Sequence, residues 1–220
     1  MDGMKESEKK LRAAFFGGAF DPPHRGHLAA ARAALDSGRS DCVWLVPAWA
    51  PPHRDGRAMA PYEERLAMLR ELAAAEPRFT VSDFERESGL VPSYTFCEMA
   101  ELERRFPEYR WQLLIGGDSL AALHEWHRGR ELAARWEVLT YPRPGSAIDE
   151  ASLRRNWPAE LAANLAAGVL DGEKYEISST DIRRRLANGE KTVTVIPEAA
   201  ADHLRRRGLY SARKDGERKA

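Results

Sequence analysis

At 220 residues the chain is long enough for one sizeable α/β core and too short for several domains of ordinary size. Lysine plus arginine and aspartate plus glutamate number 34 each, a formal net charge of +0, which excludes the global basic field of a nucleic-acid or anionic-membrane binder. Cys42 and Cys97 have no metal-ligand spacing and no secretory segment beside them, so they read as reduced, partly buried thiols of a cytoplasmic protein.

Met1 to Lys10 and Ser211 to Ala220 are charged ends with too little apolar content to pack, and Met1 to Lys10 is neither a signal peptide nor a membrane span. The expected domain therefore runs over 11–210, with frayed tails at 1–10 and 211–220. Ala13 to Phe16 is an apolar run that predicts a first strand, and the Ala-rich Leu28 to Leu35 predicts a helix. Between them lies Gly17-Gly18-Ala19-Phe20-Asp21-Pro22-Pro23-His24-Arg25-Gly26-His27, on a strand-to-helix turn. In a parallel α/β unit that turn opens at the carboxyl end of the sheet, where such folds bind ligands. Gly17 and Gly18 let backbone N–H groups approach an anion, and the helix start adds a positive dipole end. Gly26 is expected to clear space beside His27, so that His24 and His27 point into one cleft. A Gly-Gly turn and a capping histidine are each ordinary; their combination with Asp-Pro on one turn suits a phosphate.

Cys42 to Val46 is a continuous apolar run, the pattern of a strand buried on both faces. Its exit, Pro47-Ala48-Trp49-Ala50-Pro51-Pro52-His53-Arg54, is a stiff loop ending in two potential phosphate donors. Tyr62 to Ala75 carries Leu66, Leu69, Leu72 and Ala73 at helical spacing, an amphipathic face that packing alone explains. Phe79 to Phe84 alternates as a strand. Ser93-Tyr94-Thr95 follows a loop, and Thr95-x-x-Glu98 reads as a capping box opening a helix through about Arg105.

Trp111 to Ile115 is the next buried strand, and it runs into Gly116-Gly117-Asp118-Ser119. Asp118 is placed to reach a ribose hydroxyl or a metal, and equally to cap the following helix. Trp126 is flanked by His124, Glu125, His127 and Arg128, a polar neighbourhood for a core residue; the His124 and His127 pair lacks a third ligand and is not read as a metal site. Val138 to Tyr141 predicts a strand closed by Pro142-Arg143-Pro144-Gly145, and Leu153 to Ala167 a helix around Pro158, with no function assigned over 146–176. Tyr175 to Ile177 is the last strand candidate, leading into Ser178-Ser179-Thr180-Asp181-Ile182-Arg183 at the start of a helix to Leu186. There hydroxyls cap the helix and Arg183 lies one turn in. Ile196-Pro197 opens a last helix to about Arg207, whose Arg205-Arg206-Arg207 run reads as a solvated face.

The run from Gly17 to His27 resembles the phosphate-binding signature of the nucleotidylyltransferase superfamily, and its GGAFDPPHRGH form is similar to that of bacterial nicotinate-nucleotide adenylyltransferases. Pro51-Pro52-His53-Arg54, Ser93-Tyr94-Thr95, Asp118 with Trp126, and Ile-Ser-Ser-Thr-x-Ile-Arg over 177–183 resemble the family's later motifs; Phe96-Cys97-Glu98-Met99 departs from its usual pattern. The resemblance implies a Rossmann-like, doubly wound α/β fold: a parallel sheet with helices on both faces and a short C-terminal helical element. It implies adenylyl transfer from ATP to nicotinate mononucleotide, releasing pyrophosphate, without a covalent intermediate. Gly17, Gly18, Phe20, His24, His27, Ser179, Thr180 and Arg183 would then bind ATP, with His24 and His27 catalytic. His53, Arg54, Ser93, Tyr94, Thr95, Asp118 and Trp126 would bind the mononucleotide, Trp126 by stacking on the pyridine ring. Mg²⁺ would be held mainly by the ATP phosphates, with Asp118 as a protein ligand. A superfamily relative acting on another phosphate ester and an ATP-sensing module without turnover remain open, as does a homodimer; no nucleic acid or membrane partner is expected.

Overall fold

The computed structural model describes residues 10–51, 59–142, 148–172, 175–190 and 194–210. Both expected tails, apart from Lys10, lie outside the described residues. Five parallel strands form one sheet in the order β3-β2-β1-β4-β5: β1 (Leu11–Gly18), β2 (Cys42–Pro47), β3 (Phe79–Val81), β4 (Tyr109–Gly116) and β5 (Glu137–Tyr141). The order reverses direction at β1, whose neighbours are β2 and β4, so a crevice opens there at the carboxyl ends of the strands.

Ten α-helices accompany the sheet among the described residues: α1 (Arg25–Asp36), α2 (Tyr62–Ala73), α3 (Phe84–Ser88), α4 (Thr95–Arg105), α5 (Gly117–Ala122), α6 (Gly129–Arg135), α7 (Glu150–Leu153), α8 (Ala159–Ala167), α9 (Ser179–Ala187) and α10 (Glu198–Arg207). Successive strand residues face opposite ways, and β1 shows this directly. Ala13 and Phe15 enter one core with Met99, Leu102, Leu120 and Leu132, while Ala14 and Phe16 enter another with Ala30, Ala34 and Leu69. Helices thus cover both faces, as the doubly wound expectation required. A third cluster joins Met68 and Leu72 of α2, Ile182 of α9, and Ala200 and Leu204 of α10.

Several expectations are corrected. Tyr175 to Ile177 is not a strand, because the edge of β5 is already engaged: Thr140 donates to Gly168 O at 2.9 Å and Leu170 donates to Thr140 O at 2.8 Å. β3 stops at Val81, where Ser82 Oγ accepts the Phe84 amide at 3.2 Å and turns the chain into α3. Thr95 and Glu98 do not make a capping box: Tyr94 is the N-cap of α4 and Glu98 is buried. Asp118 lies inside the first turn of α5, whose N-cap is Gly116. The helical stretch over Leu153 to Ala167 is two helices that part at Pro158, the N-cap of α8.

Candidate active site

The turn after β1 carries the histidine pair. His24 is the N-cap of α1 and His27 lies three residues on, in the first turn, so both rings emerge from one place. They stack at 3.8 Å between centroids with 26° between planes. The His24 amide donates to His27 Nδ1 at 3.1 Å. An accepting Nδ1 puts the ring proton on Nε2, so a backbone contact sets the tautomer that makes His27 a donor. Phe20 supports the same ring edge-on at 4.8 Å. Gly26 serves His24 rather than His27 as expected: a Cβ there would stand 3.0 Å from His24 Nδ1.

α9 docks directly on this turn. Ser179 Oγ donates to Pro22 O at 2.9 Å, and Arg183 Nη1 donates to Asp21 O while Nη2 donates to Thr180 Oγ1 at 2.8 Å. Ser178 is the N-cap, accepting the Asp181 amide at 3.1 Å. The two motifs, some 157 residues apart in the chain, are therefore one site even though no strand precedes the second.

A buried arginine that packing arguments assigned no role ties the turn to its neighbours. Arg65 of α2 is 2 % exposed; its Nη1 donates to Ala19 O at 2.7 Å, Nη2 to Ala48 O at 2.8 Å and Nε to Ala60 O at 3.1 Å. Ala48 in turn donates to Gly18 O at 2.8 Å, so the exit of β2 is bound to the end of β1. His53 and Arg54, further along that exit, lie outside the described residues.

The expected mononucleotide residues separate into a wall and its support. Ser93 is buried, and its hydroxyl donates to Ala50 O at 2.9 Å and to Glu85. Glu85 Oε1 also accepts the amides of Trp49 and Ala50, each at 2.8 Å. Ser93 thus braces the β2 exit from behind. Tyr94, half-buried, stacks on His127 at 4.3 Å and 24°. Trp126 is half-buried and packs against the core cluster that contains Phe96 and Met99. At the end of β4, Gly116 makes room for Asp118: a Cβ on Gly116 would stand 2.7 Å from Asp118 Oδ1. His127, Glu85 and Arg65 were missed as contributors. Arg65 had left a signal, since it shares the apolar stripe of Met68, Leu69 and Leu72.

Glu98 stands behind this wall with its carboxyl held well above the usual range, by burial first and then by the charge of Glu85 and a hydrogen bond to it. The native state therefore keeps a proton that the unfolded chain releases near the ordinary 4.5. The stability this proton brings is whole below that pH and is lost as pH rises through the raised folded value. Glu98→Gln, always neutral and still able to donate to Glu85, is expected to exceed the parent in urea stability above pH 7 and to match it near pH 4.5. An equal offset at both pH values would rule out the shared proton.

Among the described residues no group of three or more His, Cys, Asp and Glu side chains gathers to hold a metal, and no helix is long and apolar enough to cross a membrane. A donor set of amides, imidazoles, hydroxyls, Arg183 and one exposed carboxylate, Asp118, suits a polyphosphate that brings its own cation.

A crevice at the strand-order reversal, a histidine pair on its first turn and a hydroxyl-rich helix start docked beside them define a nucleotidyltransferase of the cytidylyltransferase-like class, whose family model matches residues 15–185. A probable nicotinate-nucleotide adenylyltransferase of Exiguobacterium sibiricum is 36% identical over 91% of this chain and 100% of its own, and one of Gloeobacter violaceus is 37% identical over 90% and 96%. The chain belongs to this cytidylyltransferase-like family, among its nicotinate-nucleotide adenylyltransferases. The fold matches Plasmodium falciparum nicotinic acid mononucleotide adenylyltransferase complexed with NaAD (TM-score 0.69, 18% identity) and complexed with APC (TM-score 0.71, 17% identity), each over 91% of this chain and 97% of the other. At that identity the likeness speaks for the fold alone.

Proposed function

We propose that the crevice joins ATP and nicotinate mononucleotide into nicotinate adenine dinucleotide, releasing pyrophosphate, as a cytoplasmic step in NAD synthesis. The observation that carries this reading is the docking of Ser179 and Arg183 on the backbone of Pro22 and Asp21, which gathers amides, hydroxyls and a guanidinium around the histidine pair.

A 5′-phosphate oxygen of the mononucleotide attacks the α-phosphorus of ATP. As that bond forms, the bond from the α-phosphorus to the bridging oxygen breaks, and pyrophosphate leaves with the electron pair. Gly17 and Gly18 bring backbone to the triphosphate; Ser179, Thr180 and Arg183 take its outer phosphates. His24 and His27 donate to oxygens whose charge grows in the transition state, a term worth about 10²- to 10³-fold per preorganised donor. His53 and Arg54 hold the mononucleotide phosphate, Asp118 orients a ribose, and Tyr94, Thr95 and Trp126 form the pyridine pocket that Ser93 supports. Mg²⁺ carried by the phosphates would supply charge neutralisation, with Asp118 as its candidate protein ligand. The protein's own part is alignment and donation, the recurring logic of phosphoryl transfer.

Pyrophosphate release with MgATP and either nicotinate or nicotinamide mononucleotide, at matched concentrations, tests the reading. Strong preference for the acid is expected. Equal rates would remove the acid specificity, and no release with either would overturn the function.

A further inference from the structure

Tyr210 closes the described chain in a backbone conformation that a residue with a Cβ seldom takes: its φ is 61°, in the left-handed region. Gly208, with φ 60°, ends α10 just before it. The unusual turn brings the phenol to the other end of the molecule's chemistry. Tyr210 Oη donates to Asp21 Oδ1 at 2.5 Å, across 189 residues of sequence.

Asp21 is 1 % exposed, and its Oδ1 also accepts the Ala60 amide at 3.0 Å. Its other oxygen, Oδ2, lies 3.6 Å from Arg183 Nη1, the nitrogen that donates to the Asp21 carbonyl. A buried carboxylate beside a guanidinium is a strong competitor for it. Closing the 3.6 Å gap to ordinary hydrogen-bond length needs a movement of only about 0.7 Å. The phenol hydroxyl satisfies part of the carboxylate's demand from the opposite side. Burial and the neighbouring Asp21 push the Tyr210 pKa far up, so it remains a neutral donor.

The base of this contact is firmly placed. His203 of α10 sits between Glu64 Oε2 at 2.7 Å and Glu71 Oε1 at 3.2 Å, both on α2, and Leu204 and Ala200 pack with Met68, Leu72 and Ile182. Tyr210 packs on the edge of the same cluster.

We infer that Tyr210 is a positioning residue for the phosphate subsite: its hydroxyl holds the Asp21 carboxylate so that the 3.6 Å ion pair with Arg183 does not close into a direct hydrogen bond. The inference rests on the proposed role of Arg183 toward the outer phosphates. It makes the turn after α10 a working part of a site otherwise built from the first strand and α9.

Tyr210→Phe keeps the ring and removes only the donor. Calorimetry with inorganic pyrophosphate is expected to give about five- to twentyfold weaker binding than the parent, with nicotinate mononucleotide bound as before. KM for ATP rises by a similar factor while KM for the mononucleotide does not move. Unchanged pyrophosphate affinity, equal weakening toward both ligands, or no pyrophosphate binding by the parent would overturn the inference; a packing role alone would lower Tm without this selectivity. Asp21→Asn keeps an acceptor and removes the charge. It is expected to bind pyrophosphate no more weakly than the parent, and Tyr210→Phe added to it should change nothing further; weaker binding by Asp21→Asn alone would also overturn the inference. That variant answers the question even if Tyr210→Phe does not fold. Because pyrophosphate binding is read without turnover, a parent that binds it yet transfers no adenylyl group would refute the proposed function and leave this inference standing.

Discussion

Replacing His27 with asparagine is expected to lower kcat about 10²- to 10³-fold, the cost of losing one donor preorganised for a transition state. Asparagine is the informative choice because its Oδ1 falls where Nδ1 stands, and can still accept the His24 amide now bonded at 3.1 Å. The turn is thereby kept, and only the outward Nε2 donor is lost. His27→Gln carries a nitrogen donor farther out and should recover part of the loss. Since His27 packs mainly on Phe20 and His24, Tm should fall by only a few degrees. Steady-state kinetics at saturating ATP and mononucleotide, with a melt on the same sample, separate the two effects. Near-normal turnover in the asparagine variant would remove His27 from the chemistry.

Arg65→Met is expected to destabilise the protein by about 3–5 kcal/mol, the range for breaking a buried charged network, and to lower Tm by roughly 10 °C. The methionine fills much of the volume but leaves the carbonyls of Ala19, Ala48 and Ala60 without the donors that reach them at 2.7, 2.8 and 3.1 Å. Each lost bond to a charged donor is worth about 1.5–3 kcal/mol, and local relaxation returns part of the sum. Lysine is no substitute, because a single ammonium cannot bridge three carbonyls on three segments. Urea unfolding of both variants measures the cost. A loss under about 1 kcal/mol would mean that the three segments hold their places without the guanidinium.

Much of the fold was legible because its signals are local. The apolar runs of β1, β2, β4 and β5 and the helical spacing of α2 report which side chains face inward within a few residues, and the structure has those elements where the runs predict them. The histidine turn was equally legible, since the N-cap and the first helical turn are three residues apart. Tyr175 to Ile177 misled because a three-residue stretch says nothing about whether a sheet edge is available, and here Val169 had already taken it. Glu98 misled in the same way: a favourable capping spacing cannot reveal that the side chain is buried beside Glu85.

By itself the sequence determined the alternation of strands and helices, the phosphate-suited turn and the hydroxyl-rich helix start, all set by neighbours within one or two turns of chain. Only the tertiary structure decided that these two motifs meet, that Arg65 locks three segments at separations of 5, 17 and 46 residues, and that Tyr210 reaches Asp21 from 189 residues away. The reason is physical: local periodicity encodes which face of an element avoids water, whereas the partner of a buried polar group depends on which distant segment the sheet order brings beside it.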